Sequence, residues 1–172
     1  MQAHSIFLLD TNVFIEPKNR FYPFDIVPGY WDLLEKELGA NSVQSITQVY
    51  DEILSGRDDL SRWVKQYVGR VKFIDCTNDT AVFDQYLKVS KFVKGLPDKR
   101  QNAKDDFLKN SSADPWLAAY ACVHKACLVT MEATKAKSPK KVSLVDVCDK
   151  FDVRHIDTFQ FLRAMQARLV LA

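Results

Sequence analysis

Three carboxylates follow apolar runs closely: Asp10 after "SIFLL", Asp75 after "VKFI", and Glu132 one Met beyond "CLVT". Two more sit where a helix is expected to face the same edge, Glu52 within "QVYDEIL" and Asp114 opening "DPWLAAYACVHK". Ligands of open parallel sheets bind beyond the carboxyl ends of the strands, so acids at these positions are placed for chemistry. Carboxylates brought within about 4 Å repel by roughly 4 kcal/mol at an effective dielectric near 20, and a divalent cation removes that cost. Mg2+ or Mn2+ prefers oxygen ligands, keeps waters for a substrate phosphate, and turns water into a nucleophile against a phosphodiester. Each acid also has a plainer reading. Asp114 before Pro115 suits a helix N-cap, Glu52 a partly exposed helix carboxylate, and Glu132 the first residue of a solvated loop. Asp10 is the hardest to read as a turn residue, because the chain is apolar again at Val13, Phe14 and Ile15.

The elements that must position these acids follow from periodicity. "SIFLL" at 5–9 is continuously apolar, as expected of a strand covered on both faces. "SVQSI" at 42–46 is a second strand, leading to a helix in "TQVYDEILSG" with Thr47 as N-cap and Gly56 as its end. "VKFIDC" at 71–76 reads as a third. After it Val82, Tyr86, Val89 and Val93 recur at helical spacing until Gly95 and Pro97 stop them. The polar stretch 98–113 is either an exposed helix or a loop. Asp114 then opens a helix, "ACLVTM" is a strand, "EATKAKSPKK" a loop, "VSLVDVCDKF" a short helix, "VRHI" a last short strand, and "TFQFLRAMQARLVL" a C-terminal helix. Strands alternating with helices imply a parallel α/β sheet with right-handed crossovers.

The 172 residues suit one domain, 1–172, with no second domain needed. With 24 Lys and Arg against 22 Asp and Glu, attraction to phosphate has to come from local patches rather than net charge. Cys76, Cys122, Cys127 and Cys148 form no CxxC pair and have no zinc-type His spacing, so they read as small buried residues of a reduced, cytoplasmic protein. "WLAAYACV" is too short to span a bilayer, and no membrane association is expected.

With these residues in view, the sequence resembles the PIN-domain nucleases, and most of all a PIN-like branch found near bacterial toxin-antitoxin genes. The likeness rests on "LLDTNVF", "YDEIL", "ADPWLAAYA" and "LVTME", which occur in the family's order along nearly the whole chain. It implies a three-layer α/β/α fold with a central parallel sheet of four or five strands. It also implies catalytic and metal-binding roles for Asp10, Glu52, Asp114 and Glu132, with Mg2+ or Mn2+ as cofactor. Thr130 would orient the acids and Asn12 would support the turn after Asp10. Two departures stand out: the commoner fourth acid is Asp, whereas Glu132 is one methylene longer, and either Asp51 or Glu52 could be the inward acid of its helix. The activity implied is endoribonuclease, leaving a 5′-phosphate and a 3′-hydroxyl. The partners implied are RNA, an antitoxin protein encoded nearby, and a second copy in a homodimer.

Beside this reading, Lys135, Lys137, Lys140 and Lys141 follow Glu132 and would neutralise backbone phosphates on either side of the scissile bond; a solubilising surface loop explains them equally well. Phe21, Tyr22, Phe24, Tyr30 and Trp31 are expected to pack the first helix or form a subunit interface rather than stack on bases. His4, His124 and His155 show no spacing relation to the acids. Two other classes remain in play. A haloacid-dehalogenase-like phosphatase would use Asp10 as nucleophile but wants Asp where Asn12 stands. A non-catalytic α/β module would be either a receiver built on Asp75 or a degenerate PIN-like domain that binds protein or RNA.

Overall fold

A strand that is apolar at every position can only be covered on both faces, and this places the first one in the middle of the sheet. The computed structural model describes residues 6–40, 42–132 and 138–169. Strands β1 (Phe7–Leu9), β2 (Val43–Gln44), β3 (Cys127–Val129) and β4 (His155–Ile156) form a four-stranded, all-parallel sheet in the order β2-β1-β3-β4. Leu8 and Leu9 of β1 and Leu128 and Val129 of β3 are wholly buried. Their register pairs Leu8 with Leu128 and Leu9 with Val129. From β1 the chain goes out to β2 on one side and later returns to β3 on the other. The order therefore reverses between β1 and β3, the position at which open parallel sheets bind their ligands.

Helices cover both faces: α1 (Asn12–Glu16), α2 (Pro28–Glu37), α3 (Thr47–Ser55), α4 (Asp59–Trp63), α5 (Thr80–Lys94), α6 (Gln101–Leu108), α7 (Asp114–His124), α8 (Leu144–Lys150) and α9 (Thr158–Ala164). The result is a three-layer α/β/α fold. Helix α7 lies deepest, because Ala118, Ala119 and Ala121 are small enough for close approach, and each is at most 1% exposed. Its partner α5 presents Val82, Val89 and Val93 and is capped by Asp79, which accepts the backbone N–H groups of Ala81 and Val82 at 2.9 and 3.2 Å.

The aromatic segment packs, as the sequence suggests. Tyr30 and Trp31 are buried, Tyr30 donates to the Val13 carbonyl at 2.6 Å, Trp31 donates to the Tyr22 carbonyl at 2.8 Å, and Phe24 stacks on Trp31 at 4.0 Å. The four cysteines are free thiols. Among the described residues no helix is long and apolar enough to cross a membrane.

Several expectations need correcting. Residues 71–76 are not a strand: Arg70–Lys72 form a 3-10 turn, Val71 is 94% exposed, and only Ile74 bridges to Ile46. A segment with its first Val in solvent has no second face to bury. Thr47 is the first residue of α3, with Ile46 preceding it in extended conformation. The polar stretch holds a real helix, α6, because Ala103 and Phe107 give it one buried edge. The segment 57–69, unassigned from sequence, contains α4, started by the reciprocal capping box of Asp58 and Ser61. The C-terminal helix ends at Ala164, well before the apolar tail that suggested a longer one.

Candidate active site

Asp10 immediately follows β1, and its backbone N–H continues the ladder by donating to the Val129 carbonyl at 3.0 Å. Its carboxylate is 1% exposed and is held through Oδ2, which accepts the Thr130 hydroxyl at 2.7 Å and the Asn12 amide at 3.1 Å. Both residues proposed to support Asp10 therefore touch it. Thr130 can reach because β1 and β3 are neighbours in register. Its oxygen also accepts the Glu132 backbone N–H at 3.0 Å, which fixes the turn leading to the fourth acid. Burial raises the Asp10 carboxyl to about 6; the Thr130 hydroxyl opposes the rise and the charge of Glu52 adds to it.

The choice between Asp51 and Glu52 is decided by the helix. Asp51 is exposed and pairs with Arg70, whereas Glu52 turns inward. Glu52 Oε2 accepts the Thr11 hydroxyl at 2.5 Å, and Oε1 accepts the Ala113 backbone N–H at 2.8 Å. Glu52 is thereby tied on one side to the neighbour of Asp10 and on the other to the neighbour of Asp114.

Asp114 is not the N-cap. It is the first helical residue of α7 with Ala113 before it, and its side chain caps nothing. The residue is partly exposed, and its carboxyl accepts no hydrogen bond from the described residues. Burial, followed by the charges of Asp10, Glu52 and Glu132, pushes it well above the usual carboxylate range, with Lys141 pulling the other way.

Glu132 closes the group from the far side. Its side chain is 12% exposed, Oε2 accepts the Leu144 N–H at 2.7 Å and a longer contact from Ser143 Oγ at 3.4 Å, and Oε1 pairs with the Lys141 ammonium. Ser143 occupies the cap position of α8 without capping it. Glu132, eleven residues upstream of Ser143, does so instead.

A single chain of hydrogen bonds thus runs from Glu132 through Thr130, Asp10 and the adjoining Thr11 to Glu52 and the start of α7. Glu52 and Asp114 line a cavity of about 470 Å3 whose other walls include Phe107, Lys109, Lys140 and Lys141. Lys135 and Lys137 lie outside the described residues. A second cavity of about 340 Å3, lined by Phe92, Leu96, Lys99, Asp146 and Asp149, includes none of the four acids. Asp75 is exposed and accepts the Thr77 N–H and hydroxyl at 3.1 and 2.7 Å, so it is a local turn and not part of the site. His124 and His155 lie beside Asp79 and Asp149, at 3.5 and 3.0 Å. Ser143 and Lys109 escaped the sequence reading, as did the bond to Glu52 made by Thr11, which the sequence suggests only as part of the turn holding Asp10.

Among the described residues, no three His, Cys, Asp or Glu side chains stand close enough to grip one metal ion. The donor set nevertheless suits a hard divalent cation. All four acids offer oxygen, Asp114 has no hydrogen-bond partner among the described residues, and the carboxyls of Asp10 and Asp114 are pushed up partly by neighbouring negative charge. Asp10 and Asp114 have lone pairs to spare. Glu52 and Glu132 have each committed both oxygens to protein donors or a cation and retain only second lone pairs.

Fold and site define a three-layer α/β protein with an acidic residue, Asp10, at the switch point of its parallel sheet and a cavity lined by Glu52 and Asp114. Residues 7–169 match a family model, and the chain belongs to that family, described as a domain of unknown function (DUF4411). No curated protein matches the chain.

Proposed function

We propose that this protein is a Mg2+- or Mn2+-dependent endoribonuclease of PIN-like type, with Asp10, Glu52, Asp114 and Glu132 as its acidic site. The observation that carries the reading is the Asp114 carboxyl, which accepts no hydrogen bond among the described residues and lies within the field of Asp10, Glu52 and Glu132. A charge left in that position costs stability unless a ligand compensates it. When bound, a divalent cation supplies charge neutralisation at the scissile phosphate and makes water nucleophilic at neutral pH.

The chain's own residues do the rest. Thr130 and Asn12 fix the orientation of Asp10 through its Oδ2. Thr11 and the Ala113 N–H hold Glu52. Lys140 and Lys141, with Lys135 and Lys137, bind phosphates flanking the cut, a contact that weakens with salt. The products are a 5′-phosphate and a 3′-hydroxyl. The same chemistry suits a cytoplasmic toxin restrained by an antitoxin and acting as a homodimer. Induced expression with and without the neighbouring gene tests this, and harmless expression alone counts against it.

The phosphatase reading loses ground at Asn12, which donates its amide to Asp10 and offers no second carboxylate. A binding module without catalysis is favoured by one feature, the commitment of both glutamates to protein donors. The decisive experiment is RNA cleavage by the wild type and Asp10→Asn in Mn2+, with Mn2+ titration by calorimetry. Cleavage should fall by about a thousandfold or more in Asp10→Asn. Equal rates would refute the site, and no heat at millimolar Mn2+ would favour the binding module.

A further inference from the structure

Lys141 differs from the other lysines of the cleft. Lys109 and Lys140 are exposed and their ammonium groups pair with no acid among the described residues, whereas the Lys141 ammonium is seated on Glu132 Oε1. It lies within the field of Asp114 and Asp10 as well, and its charge opposes the rise in the Asp114 carboxyl. Its side chain is 68% exposed, so the stem is free to swing while the head group sits at the rim. The ammonium therefore meets the acid cluster on one side and the open cavity on the other.

We propose that Lys141 is the resident counter-ion of the acid cluster, competing with divalent cations for that charge, and that it transfers from Glu132 to a substrate phosphate oxygen when RNA enters. The first half needs only the acids and the lysine. The second rests on the nuclease reading above. A tethered ammonium partly offsets repulsion among carboxylates that would otherwise be unbalanced. Because it is a monovalent head on a flexible stem, it can be displaced without unfolding the site. After leaving Glu132 it is already placed on the cleft wall beside Lys109 and Lys140, where backbone phosphates would run.

The test compares Lys141→Met with Lys88→Met, an equal loss of charge on the exposed surface of α5, and with Lys141→Arg, which keeps the charge. Mn2+ binding is measured by calorimetry without RNA, and thermal unfolding is measured in EDTA at low salt. Lys141→Met should bind Mn2+ about tenfold more tightly and unfold roughly 2 °C lower than Lys88→Met, with Lys141→Arg near wild type. Unchanged or weaker Mn2+ binding by Lys141→Met overturns the counter-ion role, even if the protein cleaves RNA. If no variant binds Mn2+, the nuclease reading fails and the unfolding comparison alone decides: a drop specific to Lys141→Met supports the counter-ion, and equal temperatures refute it. RNA binding by metal-free protein reads the second half. Lys141→Met should bind severalfold more weakly than Lys88→Met at low salt, and equal affinity overturns the transfer.

Discussion

Of the four acids, the two glutamates and the two aspartates are treated in opposite ways. Glu52 accepts the N–H of Ala113 at the start of α7, and Glu132 accepts the N–H of Leu144 at the start of α8. Each therefore sits at the positive end of a helix and satisfies a donor that would otherwise lack a partner. Asp10 is held by two side chains but is buried, and Asp114 is held by none among the described residues. The flanking acids thus support the fold, while the inner pair is an electrostatic load on it. Such a load is what the cation proposed above would relieve.

Removing the load from one pair and the support from the other should change stability in opposite directions. In EDTA at pH 8, Asp114→Asn should raise the unfolding free energy by about 1–3 kcal/mol, because it loses repulsion and no hydrogen bond. Glu132→Ala should lower it by about 1 kcal/mol through the lost cap of α8. Urea denaturation measures both. If both variants are destabilised alike, the distinction between load and support is wrong.

Asp10 adds a pH signature to the same contrast. Its carboxyl titrates at about 6 in the fold against an ordinary 3.8, so the folded state binds the proton more tightly than the unfolded one. The sign follows: the associated stability is fully present below the unfolded value and is lost as pH rises through about 6, by up to about 3 kcal/mol. Metal-free wild type should therefore lose stability relative to Asp10→Asn between pH 4 and 7, as followed by denaturant midpoints. Parallel profiles would mean that Asp10 carries no such load.

The contrast also marks how far the sequence could be read. Asp10 was legible because an acid ending a continuously apolar run must lie at a strand's carboxyl end; Thr130 was suggested only by the family resemblance, since a Thr after a strand has no chemistry of its own to mark it. The inward acid of α3 was not, since Asp51 and Glu52 are neighbours and only the Arg70 partner of one and the Thr11 partner of the other separate them. The Asp114-Pro115 pair looked like a cap, but pattern cannot tell a residue that caps a helix from one that begins it. The false strand at 71–76 had apolar composition without a neighbour on both sides to receive it. Glu132 as a remote cap for α8 depends on tertiary approach, which local spacing does not encode.

The smallest expected effect lies at the joint between the two pairs. Thr11 is the one side chain that links the loop of Asp10 to Glu52, through its hydroxyl on Oε2 at 2.5 Å. Thr11→Val keeps the shape and removes the bond, leaving Glu52 with its Ala113 contact and one freed oxygen. Because Thr11 is only 6% exposed and Glu52 stays anchored by a backbone donor, the loss should be about 1 kcal/mol rather than the larger cost of an orphaned charge. If Glu52 is a support, Thr11→Val should lower stability by that amount while Thr11→Ser restores it, both read by urea unfolding in EDTA. If the freed oxygen instead serves a cation, Mn2+ affinity should rise in Thr11→Val despite the loss of stability. A variant that is more stable than wild type would place Glu52 with the load, and the division between glutamates and aspartates would fall.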